Sequence, residues 1–511
     1  MRTYIKSILS VAVLAITFTG CEKIGDFGDI NKSPNSASDP NTGMFFAASA
    51  LQVRNTIMTS NSYDPWMQEW NGYIAEAMNN QFGSLTSTTT FGTSTYYLSI
   101  MNQMNKIIEL NQDEATKNAS YVTVFGSANN QIAVAMTYKA FFMMMATDIV
   151  GPLPYSEAFK GDSEGIWEPK FDSVQDIYSA LDKELNEAYA LFDENGTLSS
   201  NYDILYKGDV AKWKKFNAAV RMMLAIKLSD VDAATGKSRF AKAYSDGSMT
   251  KVADGLHYTF STQSSSWFYG IGNKGLTSAN KRFGANKFIV EALKEYKDPR
   301  LFSYFTLDGY LGKREGDPKD FDAYHGITFG HPDNNPVIAD AAKACSIADR
   351  YCEPLATYGV ITTARILLIE AEAAQRGWIS ADAATLYEAG IRASFEFEGL
   401  EDADADAYVA AHPLPSDSAK AIEEIAMQRW FAGFLTNGVE QWSDWRRLNV
   451  PKLPLTDFQA SSAAGSTYPT RLAYSSEMDS NPVQRDEAVK NFLGGENTAW
   501  KRLWWDVADN D

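Results

Sequence analysis

Apolar residues recur at helical spacing in several segments of this chain, and those segments come in neighbouring pairs. That pattern limits the fold more than any other feature. In "FDSVQDIYSALDKELNEAYALF" one stripe is Val174, Ile177, Tyr178, Leu181, Leu185 and Ala188, with Asp172 or Ser173 placed to cap its start. In "GDVAKWKKFNAAVRMMLAIKLSD" the stripe is Val210, Trp213, Phe216, Asn217, Val220 and Leu224, opened by Asp209. "QIAVAMTYKAFFMMMATDIVG" is apolar nearly all round, the mark of a helix inside a larger helical body.

Further on, "ITTARILLIEAEAAQRGW" presents Ala364, Leu368, Ala371 and Ala374 for close helix approach, and Gly377 stops it before "SADAATLYEAGIRASFEF". "SAKAIEEIAMQRWFAGFL" supplies Ile422, Ile425, Ala426, Trp430 and Phe434 ahead of "GVEQWSDWRR". The spacing predicts four pairs: 128–148 with 172–193, 209–229 with 236–246, 362–377 with 380–397, and 418–436 with 439–447. Helix, short turn and helix with small residues at the crossing is the tetratricopeptide type of pairing, although no strict 34-residue repeat is present. The fold class is mostly α, with helix pairs near 128–246 and 362–447. Residues 248–360 differ in character, with loop material such as "STQSSSWFYGIGNKG" and "GHPDNNP" around one helix, "ANKFIVEALKEY". A long irregular insertion on a helical scaffold is where binding residues are usually carried.

The start of the chain concerns location. Arg2 and Lys6 precede an apolar run from Ile8 to Phe18, then Thr19, Gly20 and Cys21. That run is too short to span a bilayer and reads as a secretory signal over 1–20. A small residue followed by Cys is also how bacterial lipoprotein signals end, although Phe18 stands where Leu is usual. Cys21 is therefore the expected lipidation site. Residues 21–40, rich in Glu, Asp, Gly, Asn and Pro, read as a lipidated tether to a single body over 41–511. No later run reads as long and apolar enough to insert, so the expectation is a protein anchored to the membrane and not spanning it.

The net charge of −18 argues against nucleic acid, which needs clustered Lys and Arg. Aromatic residues are plentiful, with 12 Trp, 25 Tyr and 28 Phe, and exposed rings suit the C–H faces of sugars. Outside the cytoplasm, Cys345 and Cys352 could close a loop as a disulfide.

Chemistry-bearing motifs are weak. "GIGNKG" at 270–275 fits a dinucleotide loop but follows no convincing strand, and "GDSEG" at 161–165 fits a nucleophile elbow but sits in a charged connector. His257, His325, His331 and His412 lack zinc spacing, and "GDPKDFD" lacks the EF-hand pattern, which leaves calcium a minor alternative to a solvated loop. No cofactor and no catalytic constellation is expected. What remains is aromatic clustering. Trp66 and Trp70 in "SYDPWMQEWNGY" share a helix face, and Trp267 and Tyr269 stand among serines and glycines.

In order along nearly the whole chain stand "GC" with "FGDINKSPN", "TDIVGPLPYSEAF", "GDVAKWKKFNAAVRMMLAIKLS", "KDPRL", "RILLIEAEAAQRGW", "IAMQRWFAGFLTNGVEQWSDWRR", "YPTRLAYSSE" and "WWD". With these the chain resembles the SusD/RagB family of nutrient-binding outer-membrane lipoproteins of Bacteroidetes, in its second SusD-like branch. The resemblance implies four tetratricopeptide-like pairs and an irregular ligand-binding half. It also implies a SusC-like TonB-dependent transporter as partner, a glycan or oligosaccharide as ligand, and a lipid-anchored place on the outer membrane, facing the cell surface. Peptide cargo and a protein-interaction scaffold are the alternatives. Family ligand residues do not transfer by motif, so the site residues come from local sequence. Trp267 and Tyr269 would stack on the ligand, Asn273 and Arg282 would hydrogen-bond it, and Trp66 and Trp70 would form the facing wall.

Overall fold

The computed structural model describes residues 40–57, 64–76, 90–261, 283–307, 319–329, 344–454 and 468–508. Helix starts follow local chemistry. The Ser173 hydroxyl accepts from the Asp176 N–H to open Val174–Leu191, and the Asp209 carboxylate accepts from the Lys212 N–H to open Val210–Ile226. Three of the expected pairs form. Ala128–Val150 packs on Val174–Leu191, Val210–Ile226 on Ala233–Asp246, and Thr363–Gln375 on Ala383–Phe397. Ala128–Val150 is long and apolar enough to cross a membrane, contrary to the expectation that no later run is, but 89% of its apolar window is buried inside the body. Residues Thr42–Asp511 make one compact unit.

The fourth pair differs from the expectation. Ser418–Phe431 lies mainly on Thr363–Gln375, while Gly438–Leu448 lies mainly on the short helix Asp64–Trp70. The connection between them is held from outside. Gln68 Nε2 donates to the Thr436 carbonyl at 2.8 Å, and the Leu435 N–H donates to Gln68 Oε1 at 3.1 Å. Asn71 Nδ2 donates to the Gly438 carbonyl at 2.9 Å, so the second helix is steered toward the N-terminal part of the body.

A buried ionic chain crosses the helical core. Tyr178 donates to Asp148, Lys227 reaches Asp148 at 2.5 Å and Glu440 at 3.1 Å, and Arg365 reaches Glu440 at 3.2 Å and Asp444 at 2.8 Å. Arg429 joins Asp444 to Glu372, and Arg447 closes on Glu372. Buried charges are tolerable only when paired in this way.

Within 248–360 the described chain is stitched by short ribbons. Leu256–Thr259 pairs antiparallel with Thr357–Ile361, and Phe305–Thr306 with Ser346–Ile347. The disulfide that Cys345 and Cys352 could form is not made in this structure, where the two are unbridged. Cys345 Sγ accepts from the His325 N–H at 3.3 Å, whereas Cys352 ends the turn Asp349–Cys352 with its sulfur toward the Ile347 carbonyl. Each sulfur thus has its own local partner. Among the described residues no His, Cys, Asp and Glu group is arranged to hold a metal ion.

Candidate functional site

Trp267, Tyr269, Asn273, Arg282 and Cys21 lie outside the described residues, as does the side chain of Trp66. The backbone that frames them is described. Helix Asp64–Trp70, which carries Trp66, turns at Gly72 into the strand Ile74–Glu76. Gly72 has φ +79°, and a Cβ there would meet Leu453 and Phe288 at 3.1 Å, so the turn favours glycine. That strand pairs antiparallel with Phe283–Ala285, and Glu76 stands opposite Phe283, the residue following Arg282. Asn286 locks the ribbon: its N–H donates to the Tyr73 carbonyl at 3.1 Å and its Nδ2 to the Ile74 carbonyl at 3.2 Å. One ribbon therefore fixes both the helix that bears Trp66 and the start of the described chain at Phe283.

Trp70 does not form part of an open wall. It is 3% exposed, with its ring 5.8 Å from that of Trp442. Tyr73 is likewise internal: its hydroxyl donates to the Trp430 carbonyl at 2.6 Å and its ring stacks on Trp430 at 5.4 Å. Packing of Asp64–Trp70 on Gly438–Leu448 takes these side chains into the core.

Two surface clefts flank Tyr296. One, of about 620 Å³, runs between Lys287–Glu295 and Ser418–Phe431; Phe288, Ala292 and Met427 contribute its apolar lining and Glu291, Glu295 and Glu423 its carboxylates. The other, of about 460 Å³, lies against Phe302, Phe321 and His412. His412 is stacked between Tyr296, at 5.6 Å, and Tyr408, at 4.2 Å, and the ring of Phe431 meets Tyr296 at 71°. Tyr296 donates to Glu424 at 3.0 Å; burial and this carboxylate push its hydroxyl above the usual phenol range. It is a packed ring, not an open platform.

The open ring is one that sequence reasoning passed over. Trp167 is 74% exposed, the highest value among the large apolar side chains described. It follows the "GDSEG" stretch, whose Gly161–Glu164 forms a single helical turn. A lone Trp between Gly165 and Pro169 in a polar loop has no periodic apolar neighbours, and that is the signal available in the sequence.

A mostly helical body with small two-stranded ribbons is the fold shared with solved SusD homologues. Residues 34–475 match the SusD-like family described as starch-binding and associating with the outer membrane, and the chain belongs to that family. Its structure is similar to that of a chitin-binding protein, with 25% identity and a TM-score of 0.76 over 92% of this chain and 100% of the other. It is also similar to a SusD homologue from Bacteroides fragilis, at 22% identity and a TM-score of 0.75 over 90% and 99% of the two chains. A SusD-like protein from Bacteroides thetaiotaomicron matches with 21% identity and a TM-score of 0.69 over 92% and 98%. No individually curated protein matches the chain.

Proposed function

We propose that this chain is a cell-surface lipoprotein that captures glycans or oligosaccharides and delivers them to a SusC-like TonB-dependent transporter in the outer membrane. The observation that carries this reading is the family match over residues 34–475. Cys21 carries the lipid, and residues 21–40 let the body move over the transporter mouth. Trp267 and Tyr269 stack on sugar rings, Asn273 and Arg282 bond hydroxyls, and Trp66 contributes to the facing wall. Capture and hand-over need no nucleophile, and fast release suits them better than tight retention.

The test is a binding screen of the body lacking residues 1–21 against polysaccharides and peptides, with Trp267→Ala/Tyr269→Ala as the paired variant. Binding of one glycan class that disappears in the variant, with circular dichroism unchanged, supports ligand class and site together. Peptide binding would change the cargo. Binding of neither would sink the capture reading in favour of a scaffold.

A further inference from the structure

The loop between Leu153 and Asp172 holds Trp167 out in solvent without being loose. Its ends are joined by the Asp172 N–H donating to the Leu153 carbonyl at 3.0 Å. The Asp172 carboxylate then accepts from the Tyr155 N–H at 3.1 Å, the Ser156 N–H at 2.7 Å and the Ser156 hydroxyl at 2.8 Å. Glu157 accepts from the Lys170 N–H at 2.9 Å, and Asn481 donates to the Pro169 carbonyl at 2.8 Å. At the tip, the Glu164 and Ile166 N–H groups both donate to the Lys160 carbonyl, and Gly165 turns with φ +72°. Compact loops closed by their own hydrogen bonds are commonly functional.

The Trp167 ring sits against Gly161. A Cβ at Gly161 would lie 2.8 and 2.9 Å from ring carbons Cζ3 and Cε3, so the missing side chain makes the seat. An indole held in place this way, with most of its surface in water, incurs little ordering cost when a flat ligand arrives.

We infer that Trp167 is a saccharide-stacking subsite, separate from the Trp267 and Tyr269 segment, that takes neutral or N-acetylated pyranose polymers and not uronic acid polymers. This rests on the glycan-capture reading above. The ring supplies the apolar face that pyranose C–H groups pack on. Asp162, Glu164 and Glu168 are exposed in the same loop and offer carboxylate acceptors for sugar hydroxyls. The nearby cations are engaged: Lys160 pairs with Glu164 at 3.3 Å and Lys170 with Glu157 at 3.8 Å. A carboxylate-bearing sugar would meet like charge there. A second platform on the same body lengthens the hold on a polymer by multivalency without changing the first site.

The experiment is affinity electrophoresis of the full chain in mild detergent, through gels containing soluble starch, glycol chitin or polygalacturonate. Wild type is compared with Trp167→Ala, Gly161→Ala and Trp267→Ala/Tyr269→Ala, each checked by circular dichroism. Retardation by starch or glycol chitin that weakens roughly 3- to 10-fold in Trp167→Ala, and also weakens in Gly161→Ala, supports the assignment. Acrylamide quenching gives an independent reading, since the polymer should shield tryptophan in Trp267→Ala/Tyr269→Ala and shield measurably less when Trp167→Ala is added to that variant. If wild type is retarded, the Trp267/Tyr269 variant loses retardation and Trp167→Ala keeps it in full, the Trp167 assignment alone falls. Trp167-dependent retardation by polygalacturonate overturns the sugar class. If no gel retards wild type, the glycan reading itself fails and takes this subsite with it.

Discussion

Glu372 accepts both terminal guanidinium nitrogens of Arg447, at 2.5 and 2.7 Å, with neither side chain exposed. Burial alone would raise the Glu372 pKa, but Arg447 and Arg429 outweigh it and hold the carboxylate well below its usual range. Glu372→Ala leaves two buried cations short of a partner. The expected cost is about 3–5 kcal/mol, read by denaturant unfolding, and a loss under about 1 kcal/mol would contradict the role given to the pair.

Glu370, two residues away, behaves oppositely. Burial pushes its carboxyl from an ordinary 4.5 up to about 7, against a hydrogen bond from Ser248. The folded form holds its proton more tightly than the unfolded chain, so this contribution is fully present below about pH 4.5 and is lost as the pH rises through about 7. Glu370→Gln should remove that dependence, worth roughly 3 kcal/mol at full size. Thermal unfolding of both proteins across this range is the check, and parallel curves would refute it.

Trp70 and the pair Trp267/Tyr269 should separate stability from binding. Trp70→Ala removes a core ring packed on Trp442 and should cost about 3–5 kcal/mol while sparing glycan affinity in the folded fraction. The double variant should do the reverse. Loss of affinity in Trp70→Ala at full stability would return Trp70 to the ligand wall.

Alkylation tests the cysteines. Burial, then Asp349 and Glu353, push the Cys352 thiol up to about 12, so the native protein should resist iodoacetamide near neutral pH. Unfolding without reductant should expose both Cys345 and Cys352 to labelling. Labelling that appears only after reduction would mean that a disulfide forms after all.

Lipid attachment is tested by fatty-acid labelling in cells. The wild type should incorporate label and fractionate with the outer membrane, and Cys21→Ala should lose both properties. Label retained in Cys21→Ala would place the anchor elsewhere.

Periodicity made three helix pairs legible because a 3.6-residue repeat of apolar residues is dictated by the residues themselves. The segments that carry the family resemblance supply every charged member of the buried chain: Asp148, Lys227, Arg365, Glu372, Arg429, Glu440, Asp444 and Arg447. They therefore speak for the fold and leave the ligand open. Partner choice was decided only in three dimensions. Gln68 and Asn71, hundreds of residues away in sequence, set where Gly438–Leu448 goes. Trp66 and Trp70 share a helical face by spacing, but spacing does not say that Trp442 waits opposite Trp70. Six residues between Cys345 and Cys352 permit a loop-closing bridge, yet His325 and Ile347 give each sulfur a separate neighbour. Trp167 was as readable as any tryptophan, but its 74% exposure and its seat against Gly161, which has no Cβ to displace the ring, depend on how the loop closes. Local pattern determines which elements form, because it acts between near neighbours; which surfaces remain open is settled by long-range packing.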